Sequence, residues 1–223
     1  MRSLLALLPA LALLAAPASA QATFGLKLGV GAADLTDIGV FEDTEDFGFE
    51  ERSRLALVGG VTADVPLSPS LSFRPEVLYA QKGYTVGVDV SFGDERIEGA
   101  ITSELDYLEV PLLLAFHVPA SDALDVAVEA GPTLGYLLRT GTSCSGDLEV
   151  ECEDAGDFDG EDGIRDVDLG GALGATLEAG PFGVGLRYTH GFVSIAEDDE
   201  ISDDDFSPRN RVFAATVSYR FGR

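Results

Sequence analysis

From Ser103 to Thr140 the sequence alternates with a period of two along both arms of a hairpin. Leu108, Val110, Leu112, Leu114, Phe116 and Val118 fall on one face, opposite Tyr107, Glu109, Pro111, Leu113, Ala115 and His117. Beyond Pro119-Ala120-Ser121-Asp122, Leu124, Val126, Val128, Ala130, Pro132, Leu134, Tyr136 and Leu138 share a face. Asp125, Ala127, Glu129, Gly131, Thr133, Gly135, Leu137 and Arg139 oppose them. One face is continuously apolar, and the other carries charge, small residues and glycine. This predicts an apolar outside and a polar inside, which is the pattern of a transmembrane β-barrel. A soluble lipocalin-like barrel needs the faces reversed.

The chain has 223 residues, 39 of them acidic and 14 basic, yet its mean hydropathy is positive. A helical membrane protein would show long uncharged runs. Here apolar residues and charges are interleaved, and the acids then cluster. The acidity excludes nucleic-acid binding, which needs basic patches.

Residues 1–20 read as a secretory signal peptide: Arg2, an apolar run from Leu4 to Ala16, and Ala18-Ser19-Ala20 before Gln21. Residues 21–223 are then the barrel domain. Export fits the two cysteines, Cys144 and Cys152, which lie in one acidic segment and are expected to form a disulfide in an oxidising compartment.

Eight strands follow the same rule, over residues 23–31, 53–65, 71–84, 103–118, 124–140, 166–179, 182–195 and 210–221. Pro75, Pro111 and Pro132 fall inside strands, and each predicts a bulge. Long polar segments at 33–52, 85–101, 141–165 and 196–208 alternate with short turns. The fold expected is all-β, an eight-stranded antiparallel up-and-down transmembrane β-barrel. Short turns belong to the periplasmic side and long loops to the outside, so both termini are expected in the periplasm.

Three features agree. Phe24, Phe73, Phe116, Phe182, Tyr219 and Phe221 fall at one rim of the apolar face, and Tyr79, Tyr136, Tyr188, Phe192 and Phe213 at the other. The inward face balances Lys27, Arg54, Arg74, Lys82, Arg139, Arg187 and Arg220 against Asp64, Glu76, Glu109, Asp125, Glu129, Asp168 and Glu178. Buried charges must pair, and eight strands leave room only for side chains, so a salt-bridged plug is expected. The remaining acids lie in the loops.

Tyr107-Leu108-Glu109-Val110-Pro111-Leu112-Leu113-Leu114, Glu129-Ala130-Gly131-Pro132, Arg187-Tyr188-Thr189-His190-Gly191 and Val217-Ser218-Tyr219-Arg220-Phe221 resemble the PorT-like outer-membrane β-barrel family. The resemblance implies a small barrel similar to the OmpX and OmpA transmembrane domains, and implies no reaction. One member type takes part in protein secretion to the cell surface.

Few residues carry chemistry. Asp157, Asp159, Glu161, Asp162 and Asp166 form a calcium candidate, but the glycine falls one place late for an EF-hand and no closing glutamate follows. A hydrated anionic surface is the simpler reading, with loose divalent cations bridging to lipopolysaccharide. His117 is expected in the lumen, bonded to Asp125 or Glu129. His190 faces outward on the side of Ser194, but four strand residues span about 13 Å and proton transfer needs about 3 Å. Glu109 and Glu129 could face each other as an acid-base pair, and pairing with Arg74, Arg139 and Arg187 is the competing outcome. No P-loop, GxSxG, HExxH or CxxC motif occurs.

The expectation is therefore a non-enzymatic bacterial outer-membrane barrel with acidic extracellular loops, a structural or interaction role and no cofactor. The alternatives are a narrow pore for ions or small solutes, or a subunit of a secretion or assembly system. Expected partners are outer-membrane lipid, lipopolysaccharide, divalent cations and a secretion or surface partner.

Overall fold

The computed structural model describes residues 22–36, 49–92, 95–148, 163–196 and 207–222. The expected signal peptide, Cys152 and most of the calcium candidate lie outside them. The strands are β1 (Thr23–Thr36), β2 (Phe49–Arg52), β3 (Arg54–Ser68), β4 (Leu71–Phe92), β5 (Glu95–Ser121), β6 (Leu124–Gly146), β7 (Val167–Ala179), β8 (Phe182–Gly191) and β9 (Arg209–Phe221). Every named pairing is antiparallel. From β3 the sheet runs through β1, β9, β8, β7, β6 and β5 to β4, and β4 pairs with β3. That circuit closes an eight-stranded barrel. β2 extends the wall along β4.

Closure removes the sheet edges that lipid cannot solvate. The outward faces confirm the inverted pattern, with Leu55 72% exposed, Phe24 64% and Phe192 63%. Lys27, Arg74, Glu76 and Arg187 are buried within. A soluble barrel with an apolar interior is thereby excluded.

At one end, here the turn end, Pro69-Ser70, Asp122-Ala123 and Gly180-Pro181 make two-residue turns. Gly180 takes a positive φ of 56° there, which a side chain would resist. The opposite, loop end is uneven. β4 and β5 run 22 and 27 residues, against 10 for β8. The segment 85–101, expected to be a polar loop, is instead a two-stranded extension in which Thr85 pairs with Thr102 and Phe92 with Glu95. Val86, Val88, Val90 and Phe92 alternate there with Thr85, Gly87, Asp89 and Ser91, so a strand signal is present on that arm beside the charges that suggested a loop.

The prolines also depart from expectation. Pro75 pairs in register with Leu112, Pro111 with Thr133 and Pro132 with Gly171, without a bulge. A proline has no N–H to donate. Accordingly the β3–β4, β4–β5 and β5–β6 ladders each pass over two residue pairs beside it and resume unshifted. The bulges fall elsewhere, at Pro66/Ser68, Pro119/Ser121 and Asp106/Tyr107.

Candidate functional site

The lumen holds two ionic layers. Toward the turn end, Arg74 lies 2.5 Å from Asp64, 3.0 Å from Glu129 and 3.0 Å from Glu178. Arg220 meets Glu178 at 2.8 Å and Asp64 at 3.6 Å. Arg187 meets Glu76 and Glu129, each at 2.5 Å. Lys27 pairs with Glu76 and, at 3.6 Å, with Glu129. Four cations thus face four carboxylates, all buried and drawn from seven strands. Each group has several opposite partners, the condition under which buried charge is tolerated.

Toward the loop end, Lys82 sits between Glu109 at 2.6 Å and Asp168 at 3.1 Å. Neutral groups complete this layer. The Asn210 amide donates to Asp168 at 2.8 Å, and the Lys82 ammonium lies 5.0 Å from the centre of the Tyr107 ring, a cation–π distance. One cation here faces two carboxylates.

Val58, Leu78, Ala80, Val212 and Ala214 help separate the layers around a cavity of about 20 Å³. A second cavity of about 10 Å³ lies beside Arg74 and Arg220. Such volumes hold about one water each. Above Lys82, Leu35, Leu105, Tyr107 and Ile195 form an apolar cap, with Tyr84, Leu137 and Ile164 packed against it. Arg165 N–H donates to the Ile195 carbonyl at 2.8 Å, and Ile195 N–H to that of Pro208 at 2.8 Å. At the turn end the lumen opens to a recess of about 340 Å³ floored by Ser72, His117 and Asp125.

Of the expected lumen charges, Lys27, Arg74, Glu76, Glu109, Glu129, Asp168, Glu178, Arg187 and Arg220 are buried inside. Arg54 is partly buried, donates to the Lys82 carbonyl at 2.7 Å and lies 3.5 Å from Glu104. Arg139 is a correction: it is exposed and stands on the outer wall. Asp106 pairs with Arg139 while Tyr107 pairs with Leu137, so Leu138 is an extra residue in β6. A bulge of two residues against one breaks the alternation, and Arg139 turns outward behind the exposed Leu138. His117 is a second correction. It contacts the Ser72 hydroxyl at 2.9 Å and Glu178 at 3.7 Å, rather than Asp125 or Glu129.

Glu109 and Glu129 occupy different layers. Asp157, Asp159, Glu161 and Asp162 lie outside the described residues. Asp166 is exposed, and its carbonyl accepts from Leu137 N–H at 2.7 Å. Cys144 stands opposite Ile101 in the extension. His190 stacks on Tyr188 with ring centres 6.1 Å apart and meets Phe192 edge-on at 6.1 Å, while Ser194 accepts from Ala196 N–H at 3.2 Å. The apolar cap was not foreseen. Its only sequence signal is one isoleucine, Ile164 or Ile195, at the barrel edge of each of two acidic segments.

A family model described as outer membrane protein beta-barrel domain matches residues 17–197. No curated protein matches the chain. Similar solved structures include Ail, the attachment invasion locus protein of Yersinia pestis, at 11% identity, 89% coverage of this chain, 98% of that chain and a TM-score of 0.40. Neisserial surface protein A matches at 11% identity, 90% and 99% coverage and a TM-score of 0.44. The outer membrane enzyme PagL matches at 14% identity, 87% and 98% coverage and a TM-score of 0.42.

Proposed function

The chain belongs to the outer membrane protein beta-barrel domain family, and from that premise we propose that it is a closed, non-enzymatic barrel that displays an acidic surface for interaction. The observation that carries this reading is the sealed lumen. Among the described residues, two ionic layers and an apolar cap surround cavities of about 10 and 20 Å³ between the recess and the loop end. A hydrated ion needs a continuous water path. Purified protein in planar lipid bilayers is expected to stay silent. Stepwise single-channel currents would overturn the reading in favour of a narrow pore.

The non-enzymatic part is supported by the engagement of the candidate groups. His190 lies against the Tyr188 ring and the Ser194 hydroxyl accepts from Ala196 N–H, which supports a structural rather than a catalytic role for both. Incubation with phospholipid and lipopolysaccharide is expected to release no fatty acid. The same proposal places the turn end in the periplasm and the loop end outside, with residues 1–20 removed on export and Cys144 bridged to Cys152. Protease added to intact cells should then cut only loop-end segments.

The acidic loops would attract divalent cations bridging to lipopolysaccharide, and cationic surface partners. Kinship with PorT-like members in particular, and service in a secretion or assembly system, rest on the motifs from Tyr107 to Leu114 and Glu129 to Pro132. Crosslinking from the loop-end extension tests that second reading by capturing one fixed partner.

A further inference from the structure

The ionic layer toward the turn end is balanced, yet one carboxylate at its mouth stands outside that balance. Asp125 is half-buried, lines the turn-end recess and makes no hydrogen bond or ion pair among the described residues. Its register partner across β6 and β7 is Glu178, and like charges directly opposite each other in a sheet are destabilising. Arg74 and Arg220 are each shared between Asp64 and Glu178, at 2.5 to 3.6 Å. Among the described residues, no lysine or arginine lines the recess.

The recess encloses about 340 Å³, and sites for small organic molecules begin at about 300 Å³. Pro66, Pro69, Leu71 and Pro119 give it apolar walls, with the hydroxyls of Ser68 and Ser70 beside them. The proline rings fix their own backbone angles. On the floor, the Ser72 hydroxyl is engaged by His117 at 2.9 Å. The Ser70 carbonyl accepts from His117 N–H at 2.9 Å, which ties the turn to the floor. Among the described residues, no three of His, Cys, Asp and Glu are grouped so as to hold a metal ion. The counter-charge that suits this lining is a cation with an apolar body.

We propose that the recess binds a primary ammonium on an unbranched alkyl stem. The ammonium meets the Asp125 carboxylate and a serine hydroxyl, offsetting the repulsion from Glu178, and the stem lies along the prolines. An ammonium has three donors to share between a carboxylate and hydroxyls, and a charge-assisted bond gains strength where the surroundings are partly closed to water. Either a free aliphatic amine or the lysine side chain of a polypeptide carries this group. The inference goes beyond the acidic surface displayed at the loop end, since it concerns the opposite end of the barrel. On the orientation proposed above the ligand comes from the periplasm, but binding itself does not depend on that orientation.

Full-length protein in detergent, near neutral pH and in enough salt to screen the exposed acids, is titrated calorimetrically with butylamine, 1,4-diaminobutane, a trilysine peptide, butanol and tetramethylammonium. Butylamine is expected to bind, and butanol and tetramethylammonium are not. Asp125→Asn should lower the affinity about tenfold or more, the loss of one hydrogen bond between charged groups. Ser70→Phe, which fills the recess without altering a charge, should do the same. Asp122→Asn, which removes an exposed acid from the adjoining turn, should leave binding unchanged. Heat-modifiable gel migration checks folding. Asp125→Asn relieves the like-charge pair and should fold as readily as the parent, so it decides the matter if Ser70→Phe fails to fold. Tighter binding of the diamine assigns a free amine and tighter binding of the peptide a lysine side chain, and either supports the site. No binding of any amine, butanol binding as well as butylamine, tetramethylammonium matching butylamine, or unchanged affinity in Asp125→Asn or folded Ser70→Phe would each overturn the proposal.

Discussion

The two ionic layers of the lumen solve one problem differently. Toward the turn end, Lys27, Arg74, Arg187 and Arg220 offset Asp64, Glu76, Glu129 and Glu178 in a network whose members each touch at least two opposite charges. Toward the loop end, Lys82 alone faces Glu109 and Asp168, and an amide and an aromatic ring supply the rest. Stoichiometry, rather than the number of charges, decides how much each layer depends on any one member. A balanced network is broken by removing anything. An unbalanced one has an acid to spare.

The largest effect should come from removing the hub of the balanced layer. Arg74→Met keeps much of the side-chain volume but takes the shared cation from Asp64, Glu129 and Glu178, all within 3.0 Å of the guanidinium, and leaves three cations for four carboxylates. Breaking a buried pair from one side costs about 3–5 kcal/mol, and urea unfolding of the barrel in micelles should show a loss at least that large. An unchanged unfolding midpoint would mean that water reaches this layer and the plug is looser than its distances imply.

The contrast sharpens with two isosteric changes. Glu129→Gln leaves Arg74, Arg187 and Lys27 short of an anion and should destabilise by about 2–3 kcal/mol, the range for hydrogen bonds to charged groups. Glu109→Gln brings the other layer to one cation and one anion, so its effect should stay within about 1 kcal/mol. Equal losses in the two variants would refute the stoichiometric account.

The apolar cap ranks next. Leu105 is 1% exposed and packs with Leu35, Tyr107 and Ile195. Leu105→Ala should cost about 2 kcal/mol, the lower end for buried leucine truncation, since a barrel mouth can relax or admit water. Conductance should remain absent, because both ionic layers still lie below. A variant that conducts would show that the cap, not the ion pairs, seals the barrel.

Most of this was legible in the sequence because a closed wall reports its two environments through strict alternation. Lys27, Arg74, Glu76, Glu129 and Arg187 could be assigned to the lumen by parity alone. Parity fails where a residue is inserted, and the bulge at Leu138 depends on how β5 and β6 register, which no single strand records. Arg139 was therefore placed inside when it stands outside. Val86, Val88, Val90 and Phe92 do alternate within 85–101, but the return arm carries a weaker pattern and the charges of this wet segment outweighed it, so its strands read as a loop. The cap depends on contacts between Leu35, Leu105, Ile164 and Ile195, far apart in sequence, so no local pattern marks it.

The smallest expected effect lies in that wet extension, beyond the membrane. Asp89 accepts two hydrogen bonds from Arg96, at 2.8 and 2.6 Å. These bonds, followed by the guanidinium charge, hold its carboxyl below the usual aspartate range. A depressed folded-state value stabilises the folded form at every pH above the ordinary aspartate value, and the contribution is lost as pH falls through the depressed one. The pair is exposed and salt screens it, so global unfolding should not register the change. Amide exchange at Asp89, Val90 and Ile97 should accelerate only in the acid range, after correction for intrinsic rates, and high salt should reduce the difference. Asp89→Asn should remove the pH dependence while leaving exchange in the lumen-lining strands unaltered. Acceleration spreading into β6 near Arg139 would mean that the extension and the barrel wall unfold as one unit.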